Sequence, residues 1–460
     1  MNGPDSAMAE LAERFGRRFG TGESLRAQHG RDESGLDPAL PAGVVFPEST
    51  AEVSEIVRIC GRHGVPVIPY GAASGHEGGV LAIHGGVSVD MTRLNQIIEI
   101  SPEDMACVVE AGVTRLQLER ALRSTGLMFT VDPGADATIG GMAATRAAGT
   151  TTPLYGGMQA NVMGLEVVLA NGEIIRTGGA ARKSSSGYDL TRLMVGSEGT
   201  LGLITRLRLR LHPVPEAIVA LRATFPDLAC AVAAVVEVVQ FGLPVARAEL
   251  VDAVTMRGLN LRFRTRHPEQ PTLLFEFHGG ATTVDAAIAT ASDILREHAA
   301  GHIEDARSTE DRNALWKMRH AAAEADQALR PGCRSIVTDV AVPVSRLTEL
   351  LAEARERLDG LGVIAPLVGH MADGNFHFGL LVGEDDAREQ AAARAFKEWL
   401  ARRALELGGT ISGEHGIGIG KMELMAEEHG AALDVMRRIK RALDPAALLN
   451  PGKLVPGAER

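Results

Sequence analysis

A chain of 460 residues is long enough for two or three domains, each with a complete hydrophobic core. Its 47 lysine and arginine residues are outnumbered by 58 aspartate and glutamate residues, so the net charge of -11 argues against nucleic acid or an anionic membrane surface as a partner. The first residues lack a targeting pattern, and the longest apolar run, at residues 228–236, is too short to span a bilayer. The sequence therefore predicts a cytoplasmic protein without an integral membrane segment. It predicts no thiolate metal site or disulfide framework, because the cysteines are scattered, at Cys60, Cys107, Cys230 and Cys333.

The first 37 residues are predicted to form a short amphipathic helix, at residues 6–20, and a polar lead-in. A helix over residues 51–63 and a strand over residues 65–69 then lead into a glycine-rich loop at residues 71–79. The small residues of such a loop allow backbone N–H groups to close around phosphate oxygens. The loop is neither a Walker A motif nor a Rossmann fingerprint, because it has no lysine and no helix-opening Gly-x-Gly-x-x-Gly.

Two further glycine-rich stretches follow, at residues 132–144 and 195–202. Glycines at the predicted helix start in the first of them would let a diphosphate approach backbone N–H groups and the positive end of the helix dipole. Between the two stretches, Asn171-Gly172 separates two apolar runs and predicts a two-residue hairpin turn. Leucine and arginine alternate over residues 203–211, which predicts a strand with one wet face. Two prolines at residues 212–215 then predict a linker.

The remainder of the chain is predicted to form a second domain, in which short strands alternate with helices. Strand–helix–strand units between residue 218 and a helix that runs through Arg319 predict a ferredoxin-like antiparallel sheet. A helix over residues 387–407 precedes the stretch at residues 412–418. In that stretch Glu414 and His415 lie side by side between glycines, whose irregular backbone would allow both neighbouring side chains to serve one site.

Two more histidines make this stretch a candidate site. An isolated Glu-His pair is typical of a surface turn, but His370 and His377 lie about forty residues upstream, so three imidazoles and a carboxylate become candidates for one pocket. Asp373-Gly374 lies between those histidines and is a favoured pair for a two-residue hairpin turn. With that turn His370 would lie directly opposite His377, at a Cβ separation of about 4.5 to 5.5 Å from which two imidazoles can bind one ion.

These features together resemble a known family over residues 38 to 453. The chain is similar to the FAD-linked D-2-hydroxyacid dehydrogenases of the vanillyl-alcohol-oxidase superfamily, and most of all to the cytochrome-linked D-lactate dehydrogenases. The resemblance is carried by Val45-Phe46-Pro47, Ile68-Pro69-Tyr70-Gly71, Asp132-Pro133-Gly134-Ala135-Asp136-Ala137, Val195-Gly196-Ser197-Glu198-Gly199-Thr200-Leu201-Gly202, Gly413-Glu414-His415-Gly416-Ile417-Gly418 and Asn450-Pro451-Gly452-Lys453.

The resemblance implies an α+β fold in three parts. Residues 1–37 would be an N-terminal helix and lead-in, and residues 38–215 a two-subdomain FAD-binding domain of the PCMH type. Residues 216–455 would form the FAD-linked oxidase C-terminal domain, a ferredoxin-like antiparallel-sheet substrate or cap domain followed by a C-terminal helical segment.

The resemblance also implies the site residues. His415 would be the catalytic base, Arg319 and Asn375 would hold the substrate, and His370, His377 and Glu414 would bind one divalent metal, zinc first, with manganese or iron as alternatives. FAD would be bound without a covalent bond, because His76 does not stand at the attachment position of covalent relatives. The implied FAD-binding residues are Tyr70, Gly71, Ala72, Ser74, Gly75, His76, Gly78, Pro133, Gly134, Thr138, Gly140, Gly141, Gly149, Tyr155, Glu198, Gly199, Gly202, Ile204 and Asn450.

The implied reaction is the oxidation of a D-2-hydroxyacid, D-lactate or a related acid, to the 2-oxoacid, with hydride transfer to flavin N5. Electrons would pass to a cytochrome, a quinone or an electron-transfer flavoprotein. The protein could then be peripheral to the inner face of a membrane, and a homodimer is left open. Thr151 and Leu154 depart from the family pattern, so contacts with substrate or flavin there are expected to differ.

Other functions stay open from the residues alone. A metal hydrolase could use Glu414 or His415 to activate water, but it would leave the three glycine-rich stretches without a purpose. The chain could also be a subunit of a multi-subunit glycolate oxidase, acting in binding or electron transfer while another chain carries the chemistry. Intact Glu414 and His415 argue against an inactive subunit but not against a catalytic one.

Overall fold

The computed structural model describes residues 3–458; Met1 and Asn2, at the start of the predicted lead-in, lie outside the described residues. The chain divides into two compact units. The first unit comprises the chain up to Ala148, Gly156–Val214 and the chain from Glu414 onwards, and the second comprises Gly149–Tyr155 and Pro215–Gly413. Within the described residues, none of the helices combines the length and apolar composition needed to cross a bilayer.

The first unit contains a four-stranded sheet with three parallel strands and one antiparallel edge strand. Its order is Phe19–Gly20, Gly43–Val45, Val87–Asp90 and Val67–Tyr70. The helix Thr50–His63 lies in the chain between two of these strands; Ser49 caps its N-terminus and Gly64, at a φ of 64°, ends it. Its apolar residues recur every three or four positions, as predicted, so one face of the helix is buried. That face includes Val53, Ile56, Val57 and Cys60.

A second sheet of the first unit has five antiparallel strands, in the order Ile97–Ser101, Ala106–Glu110, Leu203–Arg210, Val162–Val168 and Ile174–Gly178. The predicted alternation in Leu203–Arg210 is confirmed, because Leu207 and Leu209 are buried while the alternating Arg206, Arg208 and Arg210 are half-buried. The Asn171-Gly172 hairpin exists, but its loop has three residues, since Leu169 N–H donates to the carbonyl of Glu173.

The first unit also contains helices and short elements around these sheets. The predicted helix over residues 6–20 is shorter, because Gly16, at a φ of 53°, ends it after Phe15. The helix Glu23–His29 was not predicted. The remaining elements are the helices Pro4–Phe15, Arg115–Leu122, Ile139–Ala144, Met158–Asn161, Leu190–Met194, Met425–His429 and Ala432–Leu443, the 3-10 turns Gly16–Arg18, Met91–Arg93 and Met422–Leu424, and the paired strands Leu127–Met128 and His212–Pro213.

The second unit is built on an eight-stranded sheet, and every pairing in it is antiparallel, as predicted. The order is Ile303–Ala306, Ala217–Thr224, Thr272–Gly279, Val245–Val251, Leu367–His370, Asn375–Gly383 and Cys333–Val337, with Val340–Ala341 also paired to Asn375–Gly383. The first four strands of this unit thus lie in the order 4-1-3-2, which is the ferredoxin-like arrangement.

Helices follow most strands of the second unit and bury one face each. In Ala281–Glu297, for example, the buried residues Val284, Ile288, Ala291 and Leu295 recur at helical spacing. The helices are Thr152–Tyr155, Leu228–Gln240, Ala253–Phe263, Ala281–Glu297, Thr309–His320, Ala322–Leu329, Leu347–Leu361 and Ala387–Glu406, with 3-10 turns at Val344–Arg346 and Met371–Asp373.

The predicted register of the histidine hairpin is wrong by two residues. The strands Leu367–His370 and Asn375–Gly383 do pair, but His370 lies opposite Asn375 and His377 lies opposite Val368. The cause is a wider turn: a 3-10 turn over Met371–Asp373 precedes Gly374, which has a φ of 74°. A shift of two residues preserves the side-chain face, so both histidines still lie on the same face of the sheet.

The compact units divide the chain differently from the predicted domains at two places, one of which is Gly149–Tyr155, a segment of the second unit that was predicted in the domain at residues 38–215. The first unit's second segment ends at Val214, next to the predicted boundary at residue 215, but the chain from Glu414 onwards belongs to the first unit although it was predicted in the second domain. The lead-in also belongs to the first unit, where Ala7, Leu11 and Phe15 join its core. The boundaries of the predicted sequence domains stay a prediction.

Candidate active site

The first unit contains a cavity lined by parts of all three glycine-rich stretches. About 220 Å³ of it is accessible to the centre of a water molecule. Four of the predicted cofactor residues do not line it: Gly78 and Gly134 lie elsewhere in the loops, and Gly149 and Tyr155 belong to the second unit. The predicted residues that do line it are Tyr70, Gly71, Ala72, Ser74, Gly75, His76, Pro133, Thr138, Gly140, Gly141, Glu198, Gly199, Gly202, Ile204 and Asn450.

Close backbone packing explains why glycine occurs at two of these positions. Thr138 caps the helix Ile139–Ala144, and its Oγ1 accepts from the N–H of Gly141 at 3.3 Å. A Cβ on Gly71 would collide with that same Oγ1, and a Cβ on Gly140 would lie 2.6 Å from the Cβ of Ala111. The first two glycine-rich stretches therefore pack closely enough to present main-chain groups at one wall of the cavity.

The polar groups that line the cavity can accept hydrogen bonds from the hydroxyl groups of a dinucleotide. Asp32 lines the cavity, and its Oδ2 is buried without a hydrogen-bond partner among the described residues. An acceptor of this kind matches the hydroxyl groups of ribose or ribityl chains. Glu77 forms an ion pair with Lys421 at 3.4 Å. The positive charge of Lys421 offsets the repulsion that the Glu77 carboxylate would exert on a phosphate group. The residues present are therefore compatible with FAD.

Glu414 and His415, the neighbours on which the sequence prediction centred, both line this cavity. The backbone is irregular there, since Gly416 and Gly418 have φ angles of 81° and 48°. The His415 ring packs against the His76 ring, with centroids 4.6 Å apart and an interplanar angle of 32°. The loop geometry thus directs two adjacent side chains toward one cavity, as the glycines predicted.

In the second unit, His370 and His377 form a pair with ring centroids 5.6 Å apart. Nδ1 of His370 lies 2.6 Å from Oε1 of Glu249, and Nδ1 of His377 lies 2.9 Å from the carbonyl oxygen of Thr338. Because a carbonyl and a carboxylate only accept, Nδ1 carries the proton in each ring and Nε2 is the nitrogen with a lone pair. This is the usual support for metal-binding histidines, so the pair fits a divalent cation such as zinc.

The two predicted substrate ligands are held firmly in the same unit. Arg319 donates to Oε2 of Glu249 through Nε at 2.9 Å and Nη2 at 2.8 Å, so that edge of the guanidinium group is committed to the protein. The Nδ2 group of Asn375 donates to Oδ1 of Asp339 at 2.9 Å and to the carbonyl of Val340 at 2.8 Å. Its side-chain oxygen is therefore the atom suited to accept from a substrate hydroxyl.

Glu249 was not predicted, although it supports two of the predicted residues. It is fully buried, and burial alone opposes its ionisation. The electrostatic interactions and hydrogen bonds of His370 and Arg319 outweigh burial, so the pKa of Glu249 lies below its ordinary value. The only sequence signal was one acidic residue in the strand Val245–Val251, which is apolar apart from Glu249 and Arg247.

A second buried network in the second unit was also missed. Glu276 accepts from Trp316 Nε1 at 2.5 Å and from His278 Nε2 at 2.8 Å, and Nδ1 of His278 lies 2.8 Å from the hydroxyl of Tyr155. Burial and then the charge of Glu276 raise the pKa of Tyr155 to about 12, so its hydroxyl stays protonated. Nδ1 of His278 therefore accepts a hydrogen bond from the Tyr155 hydroxyl, while Nε2 of the same ring donates one to Glu276. These two hydrogen bonds fix the position of the tyrosine hydroxyl.

Two family models match the chain, one described as "FAD binding domain" at residues 41–178 and the other as "FAD linked oxidases, C-terminal domain" at residues 214–454. The probable mitochondrial D-lactate dehydrogenase of Danio rerio is 45% identical over 438 residues, which cover 94% of this chain and 88% of that protein. The mitochondrial D-lactate dehydrogenase (cytochrome) of Arabidopsis thaliana is 39% identical over 431 residues, 93% of this chain and 76% of that protein. The cytoplasmic location stays a prediction, since these relatives are named mitochondrial.

Two other comparisons concern the alternatives and the fold. The glycolate oxidase subunit GlcD of Bacillus subtilis is 35% identical over 428 residues, 90% of this chain and 89% of that protein. The structure of p-cresol methylhydroxylase with bound substrate matches with a TM-score of 0.81 at 19% identity, covering 98% of this chain and 96% of that one. At that identity the match concerns the fold alone, and it confirms the predicted PCMH-type FAD-binding fold.

Proposed function

Because this chain belongs to the FAD-linked D-2-hydroxyacid dehydrogenases of the vanillyl-alcohol-oxidase superfamily, we propose that it oxidises D-lactate or a closely related D-2-hydroxyacid to the 2-oxoacid. The family resemblance carried by residues 38 to 453 is confirmed by these matches. The observation that carries the substrate class is the histidine pair His370 and His377, whose Nδ1 atoms are both bonded to acceptors. A zinc ion held by this pair would polarise a bound hydroxyl group and would carry no electrons, which favours a catalytic chain over an accessory electron-transfer subunit.

FAD would be held by the glycine-lined cavity of the first unit, where Asp32 offers an acceptor for a cofactor hydroxyl. When bound, FAD supplies the acceptor for the hydride that leaves C2 of the substrate. The protein's task is to hold the three glycine-rich stretches close together and to exclude water from the reacting atoms.

A divalent metal would be held by His370, His377 and Glu414. Such a cation lowers the pKa of a bound hydroxyl group. Two histidines and one carboxylate leave coordination positions for substrate, which is the pattern of a catalytic site. Zinc is our first choice, and manganese and iron use the same ligand types.

Four residues of this chain would act on the substrate itself. Arg319 would bind the substrate carboxylate through the part of its guanidinium group that Glu249 does not use. Asn375 would help to hold the substrate with its side-chain oxygen, because its Nδ2 group already donates to Asp339 and Val340. A ring nitrogen of His415 would take the hydroxyl proton as general base. Tyr155, whose hydroxyl donates to His278, would accept a further hydrogen bond at a fixed position.

The reaction balances with one proton and one hydride. The C2 hydroxyl loses its proton to His415 and C2 loses its hydrogen with the bonding electrons, so a C=O bond forms and the substrate is oxidised by two electrons. Those electrons must leave through an external acceptor. A cytochrome, a quinone or an electron-transfer flavoprotein are the acceptor classes we propose, the first because a similar plant protein is named for it.

A second candidate is the catalytic subunit of a glycolate oxidase, favoured by the 35% identity to GlcD. Glycolate lacks a side chain at C2, so the two functions differ in whether the enzyme distinguishes D- from L-hydroxyacids. A metal hydrolase is disfavoured, because it would leave the glycine-lined cavity unused.

The test is a panel assay on purified enzyme that contains FAD and metal. Reduction of a dye acceptor would be followed with D-lactate, L-lactate, longer D-2-hydroxyacids and glycolate, alongside metal analysis. We expect turnover with D-2-hydroxyacids, a strong preference over L-lactate, and about one metal ion per site. Turnover with glycolate alone would favour the second candidate, and no turnover with any hydroxyacid would contradict both.

A further inference from the structure

The stretch at residues 412–418 carries Glu414 and His415 but has no regular secondary structure of its own. It contains three glycines, at positions 413, 416 and 418, which leave the unfolded backbone unusually free. Fixing the backbone of each residue of such a segment costs conformational entropy. Two side chains placed on it would not hold a catalytic geometry unless other groups fixed the segment.

The C-terminal end of this stretch is held by the side chain of Glu198. Its Oε1 accepts from the N–H of Ile417 and its Oε2 from the N–H of Gly418, both at 2.8 Å. Glu198 is 8% exposed, and a Cβ on Gly416 would lie 2.8 Å from its Oε1. Both oxygens of the carboxylate therefore accept from one short segment. The Glu198 side chain packs so closely against this segment that there is no room for a Cβ atom at Gly416.

Glu198 lies in the third glycine-rich stretch, which the sequence assigned to cofactor binding. A carboxylate there has the wrong charge to contact a phosphate group directly. Its two hydrogen bonds instead join that stretch to the segment that bears His415. Glu198 and Gly199 both line the cavity, so Glu198 connects the cavity wall to the segment that bears His415 within the first unit.

The N-terminal end of the stretch is held in the second unit by Asp339, which is 1% exposed. Its Oδ1 accepts from the N–H of Gly413 at 3.1 Å, and its Oδ2 accepts from the hydroxyl of Ser412 at 2.8 Å. The same Oδ1 accepts from Nδ2 of Asn375, so one carboxylate orients a predicted substrate ligand and the start of the segment. Glu414 and His415 lie between the two anchored ends.

We propose that Glu198 and Asp339 are positioning residues that anchor the two ends of residues 412–418 and thereby set Glu414 and His415 for the reaction; this rests on the proposed function. Neither residue needs to touch the substrate or the cofactor. Each uses both carboxylate oxygens as acceptors, which an amide cannot do, because Gln or Asn presents one acceptor and one N–H₂ group. Isosteric amide substitutions are therefore a sharp test.

The experiment uses holoenzyme and compares wild type with Glu198→Gln and Asp339→Asn. Glu110→Gln is the matched control, since Glu110 is a buried carboxylate of the first unit that accepts from the N–H of Gln96 at 3.0 Å, away from the segment. Measurements are FAD content, kcat, KM and backbone amide hydrogen exchange of the peptide around Ile417. We expect Glu198→Gln to keep FAD, to lose about 100-fold in kcat per bound FAD, and to exchange the amides of Ile417 and Gly418 about 10- to 100-fold faster.

Three results would overturn the proposal. One is rapid exchange of the Ile417 and Gly418 amides in the wild-type enzyme, a test that requires no variant to fold. Another is loss of FAD from Glu198→Gln with unchanged kcat per remaining FAD, which would make Glu198 a cofactor ligand. The third is full activity with unchanged exchange in both amide variants. If hydroxyacid turnover is not found at all, the exchange measurements still decide whether the segment is anchored, so the two failures are distinguishable.

Discussion

Oε1 of Glu249 lies 2.6 Å from Nδ1 of His370. The other oxygen of the same buried carboxylate accepts two hydrogen bonds from Arg319. One side chain therefore orients a proposed metal ligand and a proposed substrate ligand together. Since Nδ1 of His370 donates to this carboxylate, the ring presents Nε2 as its metal-binding nitrogen.

Glu249→Gln should weaken metal binding by about 10- to 100-fold, the usual effect of losing a carboxylate partner of a metal-binding histidine. KM for the hydroxyacid should rise as well, because Arg319 loses its charged partner. Metal titration and steady-state kinetics would measure the two effects. Glu304→Gln is the control, since Glu304 is a half-exposed partner of Arg222 in the same sheet. Wild-type metal affinity in Glu249→Gln would show that the pairing does not support the site.

His415→Ala should remove turnover while the FAD and metal contents stay near those of wild type. General-base loss lowers the rate by about 100- to 10,000-fold, and a base that is not a ligand leaves the metal in place. Glu414→Ala should instead lose metal and activity together, because it removes one of three proposed ligands. Absorbance, metal analysis and kcat would be compared for the two variants. If His415→Ala loses the metal and Glu414→Ala keeps it, the roles of the two neighbours are reversed.

FAD should be released when the protein is denatured by acid. His76, the one histidine in the first glycine-rich stretch, packs against the His415 ring at 4.6 Å, an arrangement that does not require a bond to the flavin. Acid precipitation should therefore leave a yellow supernatant and a colourless pellet. A yellow pellet would contradict this prediction, and His76→Ala would then show whether His76 carries the bond.

Asp326→Asn should stabilise the protein at alkaline pH and have little effect at low pH. Burial, with the nearby charge of Asp252, raises the pKa of Asp326 from 3.8 to about 6. Because the folded pKa lies above the unfolded value, the ionised carboxylate weakens the folded state; this penalty is absent below 3.8 and is complete above about 6. Removing it should add about 1 to 2 kcal/mol of stability at high pH, after allowance for solvent screening of a half-buried group.

Thermal unfolding of the holoenzyme across this pH range would measure the effect. Asp385→Asn, in an exposed turn, is the control and should leave the unfolding temperature unchanged at both ends of the range. Equal stabilisation by Asp326→Asn at low and high pH would show that the effect does not come from titration of this group.

Local sequence patterns predicted the elements that depend on local physics. The helix Thr50–His63 and the strand Leu203–Arg210 were predicted closely, because their apolar residues follow helical and strand periods. The helix Pro4–Phe15 was predicted too long, because Gly16, a residue type that commonly ends helices, was included in the predicted helix. The four-residue connection at Met371–Gly374 was missed because Gly374 accepts a hydrogen bond from Val342 N–H, about thirty residues away in the chain.

The candidate site was predicted as far as its motifs extend. Glycine-rich stretches and histidine pairs have recognisable spacing. The structure brings His370 close to His377, and it places Glu414 together with His415 in one cavity. Glu249 and Asp339 were not predicted, since their roles depend on partners 36 to 121 residues away in the chain that only the fold brings close. The family resemblance assigned Glu198 to the cofactor; Glu198 lines the cavity, and the hydrogen bonds that its carboxylate accepts from Ile417 and Gly418 were not predicted.

The most direct test of the central claim is anaerobic mixing of the FAD-bound, metal-loaded enzyme with D-lactate, with the visible flavin absorbance as the readout and no electron acceptor present. The proposed function predicts that D-lactate bleaches the flavin within a turnover, that L-lactate does not, and that His415→Ala bleaches about 100- to 10,000-fold more slowly. An oxidised flavin spectrum that persists with D-lactate and with the other D-2-hydroxyacids, in enzyme shown to contain both FAD and metal, would contradict it.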